Sequence, residues 1–492
     1  MRRAIKITVC LLLLVAAAAA SAGEIPNRPE QLKFSDLMFD VPDAGALRFE
    51  LADGTPVYAK RDAQFPLVSI TIYFRGGRYL EPSGKEGLAT ITSEAWRAGG
   101  AGERTAQELD EELDFLAAIL GTNIGDVTGS VSLNVLSKDL EEAMAILMDV
   151  LTEPRFQEDR FDKAKDNRIQ EMKQRNDDTA TIEGREWQRL IYGDDYWMNQ
   201  FSTKASVDAI TATDSKAFVG SLVRSGNIVV AVAGDFDPAA LETLLNTTIG
   251  ALEPLAEPLP AIPQPDHTAE AGVYVINKPD VNQGRVSIGH LGYKLGYTDQ
   301  FPLMVGNDIL GGGGFTARMM KTIRSDEGLA YSAYSAIGFP VTMPGTFRAF
   351  YQSKSSTCAY AGEIFFELLD SMRSSNPTDE ELRTAKTSYI EPFPRRFASA
   401  AQIVGLYASD ELLGRPHSYW TTYRDNVAAV NGDSVMKAMK KNVDPERMIV
   451  LVVGNVEEIM GGHPEHDAQF TDFGEIHKVP LRDPMTMEPI AE

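Results

Sequence analysis

The sequence predicts an α+β protein made of two similar halves, each a mostly antiparallel sheet with helices packed on it. Three observations lead there. The chain has 492 residues, 43% of them apolar and 24% charged, which describes a globular protein too long for one core. Period-2 and helical hydrophobic patterns alternate along it. Features of the first half also recur about 220 residues later, as an internal duplication would require. Asn227-Ile-Val-Val-Ala-Val-Ala-Gly234 and Arg447-Met-Ile-Val-Leu-Val-Val-Gly454 are both buried-strand runs closed by glycine. Each follows a matching amphipathic segment, residues 207–214 and 426–433.

Taken in order, the first residues read as a leader. Arg2, Arg3 and Lys6 supply positive charge, residues 7–20 an apolar core, and Ala20-Ser21-Ala22 a small-residue cleavage site. The apolar run is shorter than the ~20 residues of a membrane span. Residues 1–22 are therefore expected to be a cleaved signal peptide and the mature protein periplasmic. Residues 67–74 alternate as a strand. Residues 105–120 place Leu109, Leu113, Leu116 and Ile119 at helical spacing, with Gly121 as the stop. A strand over 127–136, a helix over 140–151 ending before Pro154, and a polar-faced helix over about 157–174 follow. Prolines 254, 258, 260, 263 and 265 then break the pattern into an extended linker. The expected division is an N-terminal domain over 35–250, a linker over 251–269 and a C-terminal domain over 270–475.

Charge narrows the partners. Net charge is −23, and removing residues 1–22 takes away three basic and no acidic residues, leaving −26. So acidic a chain argues against nucleic acid or anionic membrane, which demand clustered Lys and Arg; it suits basic peptides or plain solubility. Cys10 lies in the leader, so Cys358 is the only thiol of the mature chain and no intramolecular disulfide can form. The six histidines (267, 290, 417, 463, 466 and 477) all follow residue 266. His463-Pro-Glu-His466 looks like a metal motif, but Pro464 between its members and the loop-like surroundings make it surface decoration. Gly311 to Gly314 could cradle a phosphate, yet no Lys-Ser/Thr follows as in a P-loop.

Over nearly all of residues 35–460 the chain resembles the insulinase/pitrilysin family of zinc metallopeptidases, in particular the zinc-site-lacking subunit of the bacterial heterodimeric type. The likeness is strongest in residues 84–99, residues 310–338 and Glu411-Leu-Leu-Gly-Arg-Pro-His-Ser-Tyr-Trp-Thr-Thr-Tyr423. It implies paired α+β domains that form half of a clam-shell around a peptide. Active members carry an inverted His-x-x-Glu-His motif after a Gly-Leu-Ala such as Gly87-Leu88-Ala89: two histidines one helical turn apart bind zinc, and the glutamate between them is the general base. Here those positions hold Thr90, Ile91, Thr92, Ser93 and Glu94. Glu171 stands at the spacing of the distant glutamate ligand, but one carboxylate cannot hold zinc. Glu94 and Glu171 could share a hard cation; a surface or helix-lining role is the simpler reading. No metal or other cofactor is expected in this chain, and zinc is expected in a homologous partner.

The second half keeps what the first lost. The resemblance implies that Arg324 and Tyr331 are the family's Arg and Tyr seven residues apart, and that Gly311, Gly312, Gly313, Gly314 and Phe315 form a loop lining the peptide chamber. Residues 315–325 read as a helix freed by the glycines, Gly328 breaks it, and residues 330–337 read as a strand. Arg324 at the helix end and Tyr331 at the strand start then converge. Both are donors, suited to a peptide carbonyl and its developing oxyanion. The expectation is a zinc-free subunit acting in trans on peptides or unfolded segments, inactive alone. The alternative is an inactive peptide-binding or scaffolding pseudo-peptidase.

Overall fold

Two six-stranded sheets carry the same strand order, and this duplication organises everything else. The computed structural model describes residues 38–490 together with Arg28 and Leu32, so the expected signal peptide lies outside the described residues. The chain divides into the units Met1–Asp40 and Val41–Glu492, and the fold belongs to the second.

The N-terminal sheet contains β1 (Arg48–Glu50), β2 (Pro56–Arg61), β3 (Leu67–Arg75), β4 (Ile119–Ile124), β5 (Thr128–Leu136) and β6 (Ile228–Gly234), in the order β1-β2-β6-β3-β5-β4. The C-terminal sheet contains β7 (Gly272–Asn277), β8 (Gln283–Leu291), β9 (Ala330–Ile337), β10 (Thr346–Lys354), β11 (Ile449–Gly454) and β12 (Ile476–Lys478), in the order β12-β7-β11-β8-β10-β9. Apart from the outer strands β1 and β12, the two orders superpose strand for strand. In both, the second Val-rich strand enters parallel to one neighbour and antiparallel to the other. Burial on both faces explains the unbroken apolar runs of β6 and β11.

The helices of the first half are α1 (Leu88–Ala98), α2 (Ala106–Phe115), α3 (Leu140–Thr152), α4 (Glu158–Lys173), α5 (Thr179–Tyr192), α6 (Lys204–Ala209), α7 (Ala212–Leu222) and α8 (Pro238–Thr247). Those of the second are α9 (Gln300–Asn307), α10 (Cys358–Ser374), α11 (Asp379–Ile390), α12 (Ala400–Leu413), α13 (Ser418–Ala429), α14 (Gly432–Asn442) and α15 (Val456–Met460). Trp96 of α1 is fully buried in the first core, its indole N–H donating to the Val150 carbonyl at 2.7 Å. The helix expected over 105–120 is shorter. It ends at Phe115, Ala117 turns the chain at φ +48°, and Ile119 and Gly121 belong to β4.

The halves exchange one helix each. Ile182, Trp187 and Ile191 of α5 pack on Ile276, Ile449, Leu451 and Val453 of the C-terminal sheet. In return α12 lies on the N-terminal sheet, where Glu411 accepts both arms of Arg48 at 2.9 and 2.8 Å and the Tyr58 hydroxyl at 2.5 Å. Arg75 donates to the Leu412 carbonyl at 2.7 Å. Among the described residues no helix is long and apolar enough to cross a membrane.

Candidate functional site

The degenerate metal positions lie on α1 and α4, and local partners occupy them. Ser93, at the place of the general base, accepts from the Ile124 backbone N–H at 3.1 Å, tying α1 to β4. Glu94 accepts a hydrogen bond from Asn167, which sits one turn before Glu171 on α4. Glu171 is paired with Arg168 at 2.9 Å, and Arg168 also donates to the Ser202 hydroxyl at 2.9 Å. The contact that zinc would make between the two helices is thus replaced by an amide–carboxylate hydrogen bond, with a fixed cation beside it. Thr90 offers only a hydroxyl. This donor set does not fit zinc, and no group of three His, Cys, Asp or Glu side chains among the described residues could hold a metal ion. Next to it, Glu81 accepts from the N–H groups of Gly87 and Ala89 at the start of α1, at 3.1 and 2.7 Å, and burial pushes its carboxyl up to about 7.

The second-half residues converge at the outer edge of the C-terminal sheet. The chain over Met320–Asp326 winds as a π-helix, Gly328 ends it at φ +66°, and β9 begins two residues later. Helical winding starts at Arg318 rather than at residue 315, because Phe315 belongs to a separate turn, Gly314–Thr316. Arg324 lies 4.8 Å from the centroid of the Tyr331 ring and 4.8 Å from that of Phe315. Both rings lie at the surface, Tyr331 84% and Phe315 74% exposed. Among the described residues Arg324 has no carboxylate partner. An arginine steadied by ring faces keeps its N–H donors free around its edge.

The four glycines differ from one another. Gly311 is buried against β9, where an added Cβ would come within 2.3 Å of the Ser335 nitrogen. Gly312 and Gly314 are exposed, and Gly314 takes φ +61°. The run is therefore half packing and half surface turn. His463 and His466 stack around Tyr360, with ring centroids 3.7 Å apart for Tyr360 and His466. Cys358 is buried, its thiol pushed up to about 12, and is chemically inert.

Reading the sequence missed Arg168, whose charge fills the degenerate site, and Asp308, a buried acid below the glycine run. The only signal for Asp308 is an acid placed directly before Ile309-Leu310.

Family models match two stretches of the chain: the insulinase (peptidase family M16) model over residues 57–185 and the peptidase M16 inactive domain model over residues 209–389. An uncharacterised zinc protease of Mycobacterium leprae is 26% identical over 58% of this chain, and that match spans 64% of the relative's length. The non-peptidase homolog YmxG of Helicobacter pylori is 23% identical over 81% of this chain and 92% of that protein. Among solved structures, the peptidase M16 inactive domain protein of Pseudomonas fluorescens superposes with a TM-score of 0.73 at 23% identity, covering 83% of this chain and 97% of that one.

Proposed function

The chain belongs to the insulinase (M16) peptidase family but has neither histidine of its zinc motif, and on this premise we propose that it is the zinc-free subunit of a periplasmic heterodimeric peptidase. A homologous partner carries the zinc site and performs the hydrolysis. This chain closes the peptide chamber and presents Arg324 and Tyr331 in trans, where their N–H and O–H groups meet the scissile carbonyl oxygen as it gains negative charge. Peptides or unfolded segments are the substrates. The observation that carries this reading is the guanidinium of Arg324, in cation–π contact with Phe315 and Tyr331 and without a carboxylate partner among the described residues. A purely structural arginine in so acidic a chain would be expected to pair.

A pull-down of the tagged chain from its own periplasm tests the assembly. The expected result is a stoichiometric second chain that bears zinc and His-x-x-Glu-His. In that complex Arg324→Ala and Tyr331→Phe each lower turnover by at least ~10-fold. A zinc-free monomer or homodimer would refute the heterodimer. Unchanged turnover in an intact complex would leave a scaffold or peptide-binding pseudo-peptidase, a reading that the non-peptidase homolog of Helicobacter pylori supports.

A further inference from the structure

Beside the Arg324–Tyr331 pair, and sharing Phe315 as a wall with it, lies a cavity of about 570 Å³ between the turn at Phe315 and Thr316, the π-helix and α11. Asp308 lines it and is 7% exposed. One carboxylate oxygen, Oδ1, accepts from the Ser388 hydroxyl at 3.1 Å. The other, Oδ2, faces the space left by Gly313, 3.0 Å from where a Cβ would stand. No cation is paired with it among the described residues. Oδ2 is not among the fully covered side-chain atoms that lack a partner, so it stays reachable from outside and can take a cationic group.

The rest of the lining says what would complete it. Arg318 is neutralised by a two-armed bond to Glu381 at 2.7 and 3.0 Å. Of the remaining charges on the wall, Asp308, Asp326 and Glu380 outweigh Lys321. Ile309, Leu368, Ala385 and the Phe315 ring supply apolar surface between them. The carboxylates are spread around the wall and do not form a group that could hold a metal ion. A wall that combines apolar surface with a largely buried acid matches a long alkyl stem ending in a cation.

We propose that this cavity is a specificity pocket for a lysine or arginine side chain of the bound peptide, with Asp308 as the residue that meets its charged end. The proposal rests on the reading that Arg324 and Tyr331 hold a peptide. The Phe315 ring, one face on Arg324, then separates the backbone-holding donors from the side-chain pocket. The acidic balance of the whole chain draws the same class of peptide.

The test is fluorescence polarisation with the full chain and two labelled peptides that differ only in lysine or norleucine, the substituted position being moved along the peptide. At one position the lysine peptide should bind ~10-fold tighter or more. Asp308→Asn should abolish that preference while leaving norleucine affinity unchanged, which also shows that the variant is folded. Arg324→Ala should weaken both peptides equally. Equal binding of the two peptides to the native chain at every position, with Arg324→Ala still weakening both, overturns the pocket and leaves the peptide-holding reading standing. A preference that persists in Asp308→Asn overturns the role of Asp308. No binding of either peptide overturns the peptide-holding reading and the pocket with it.

Discussion

The helix exchange makes a quantitative prediction about Glu183. It sits on α5 and is 1% exposed, yet its partners belong to the other half: Arg285 at 2.9 Å, Arg348 at 2.8 Å, and the Ser287 hydroxyl. Glu183→Ala leaves two guanidiniums facing a covered sheet without their anion. Breaking a buried ion pair costs about 3–5 kcal/mol. The Arg285 and Arg348 side chains keep 19% and 29% exposure, which places this case near ~3 kcal/mol. Unfolding entropy of ~2.1 cal/mol/K per residue over roughly 450 residues gives ~0.9 kcal/mol/K, so Tm should fall by ~3 °C. Because each half covers its sheet with the other's helix, the unfolding should be one transition that moves as a whole. Calorimetry alongside circular dichroism would measure it, with Asp433→Ala as a control at the exposed Lys437–Asp433 pair, expected below ~0.5 kcal/mol. Two resolved transitions, or a shift no larger than the control's, would refute the clasp.

Two further outcomes follow from the degenerate metal site. Glu81 holds its proton more tightly folded, near pH 7, than at its ordinary 4.5, so its contribution to stability is fullest below pH 4.5 and is lost as pH rises through 7. Glu81→Gln should flatten that slope in urea titrations; an unchanged slope would contradict the assignment. The triple variant T90H, S93E and E94H should still bind zinc poorly while Arg168 holds Glu171, and adding Arg168→Ala should bring bound zinc toward one per chain by elemental analysis.

Much of the fold was legible because its strands obey local rules. The alternation of residues 67–74 and the glycine-closed runs at 234 and 454 became β3, β6 and β11, and α3 and α4 lie within a residue of the expected 140–151, before Pro154, and 157–174. Residues 105–120 misled because Leu116 and Ile119 continue the helical spacing of α2 although the chain has already turned. Ile119 is 71% exposed at the start of β4, so its apolar character answers to no core. The helix exchange was invisible for a different reason. The apolar stripe of α5 announces that it packs on something, but nothing local distinguishes its own sheet from its neighbour's. At the site, Arg324 and Tyr331 could be placed because a helix, a glycine and a strand fix their separation. Asp308 could not, since its role depends on α11, some 80 residues later, closing over it.

The duplicated topology presents the same corner twice, and the contrast bears on function. In the first half α2 runs into the edge strand β4 and offers Phe115 and Ile119 to solvent, 86% and 71% exposed. In the second the π-helix runs into the edge strand β9 and offers Arg324 and Tyr331. Both corners expose bulky side chains, so exposure follows from the topology and by itself signifies nothing. What differs is chemistry: residues 115–119 at the first corner carry no side-chain donor, whereas the second concentrates a guanidinium and a phenol. With 70 acidic residues against 47 basic ones, a half-buried arginine at the surface would ordinarily find a carboxylate. This one instead lies near the rings of Phe315 and Tyr331, with no carboxylate beside it among the described residues. An arrangement that shields the faces of a cation and frees its donors adds little to folding, since surface cation–π contacts are worth only about 0.5–1 kcal/mol. Under the proposed function its value would lie in what the donors hold.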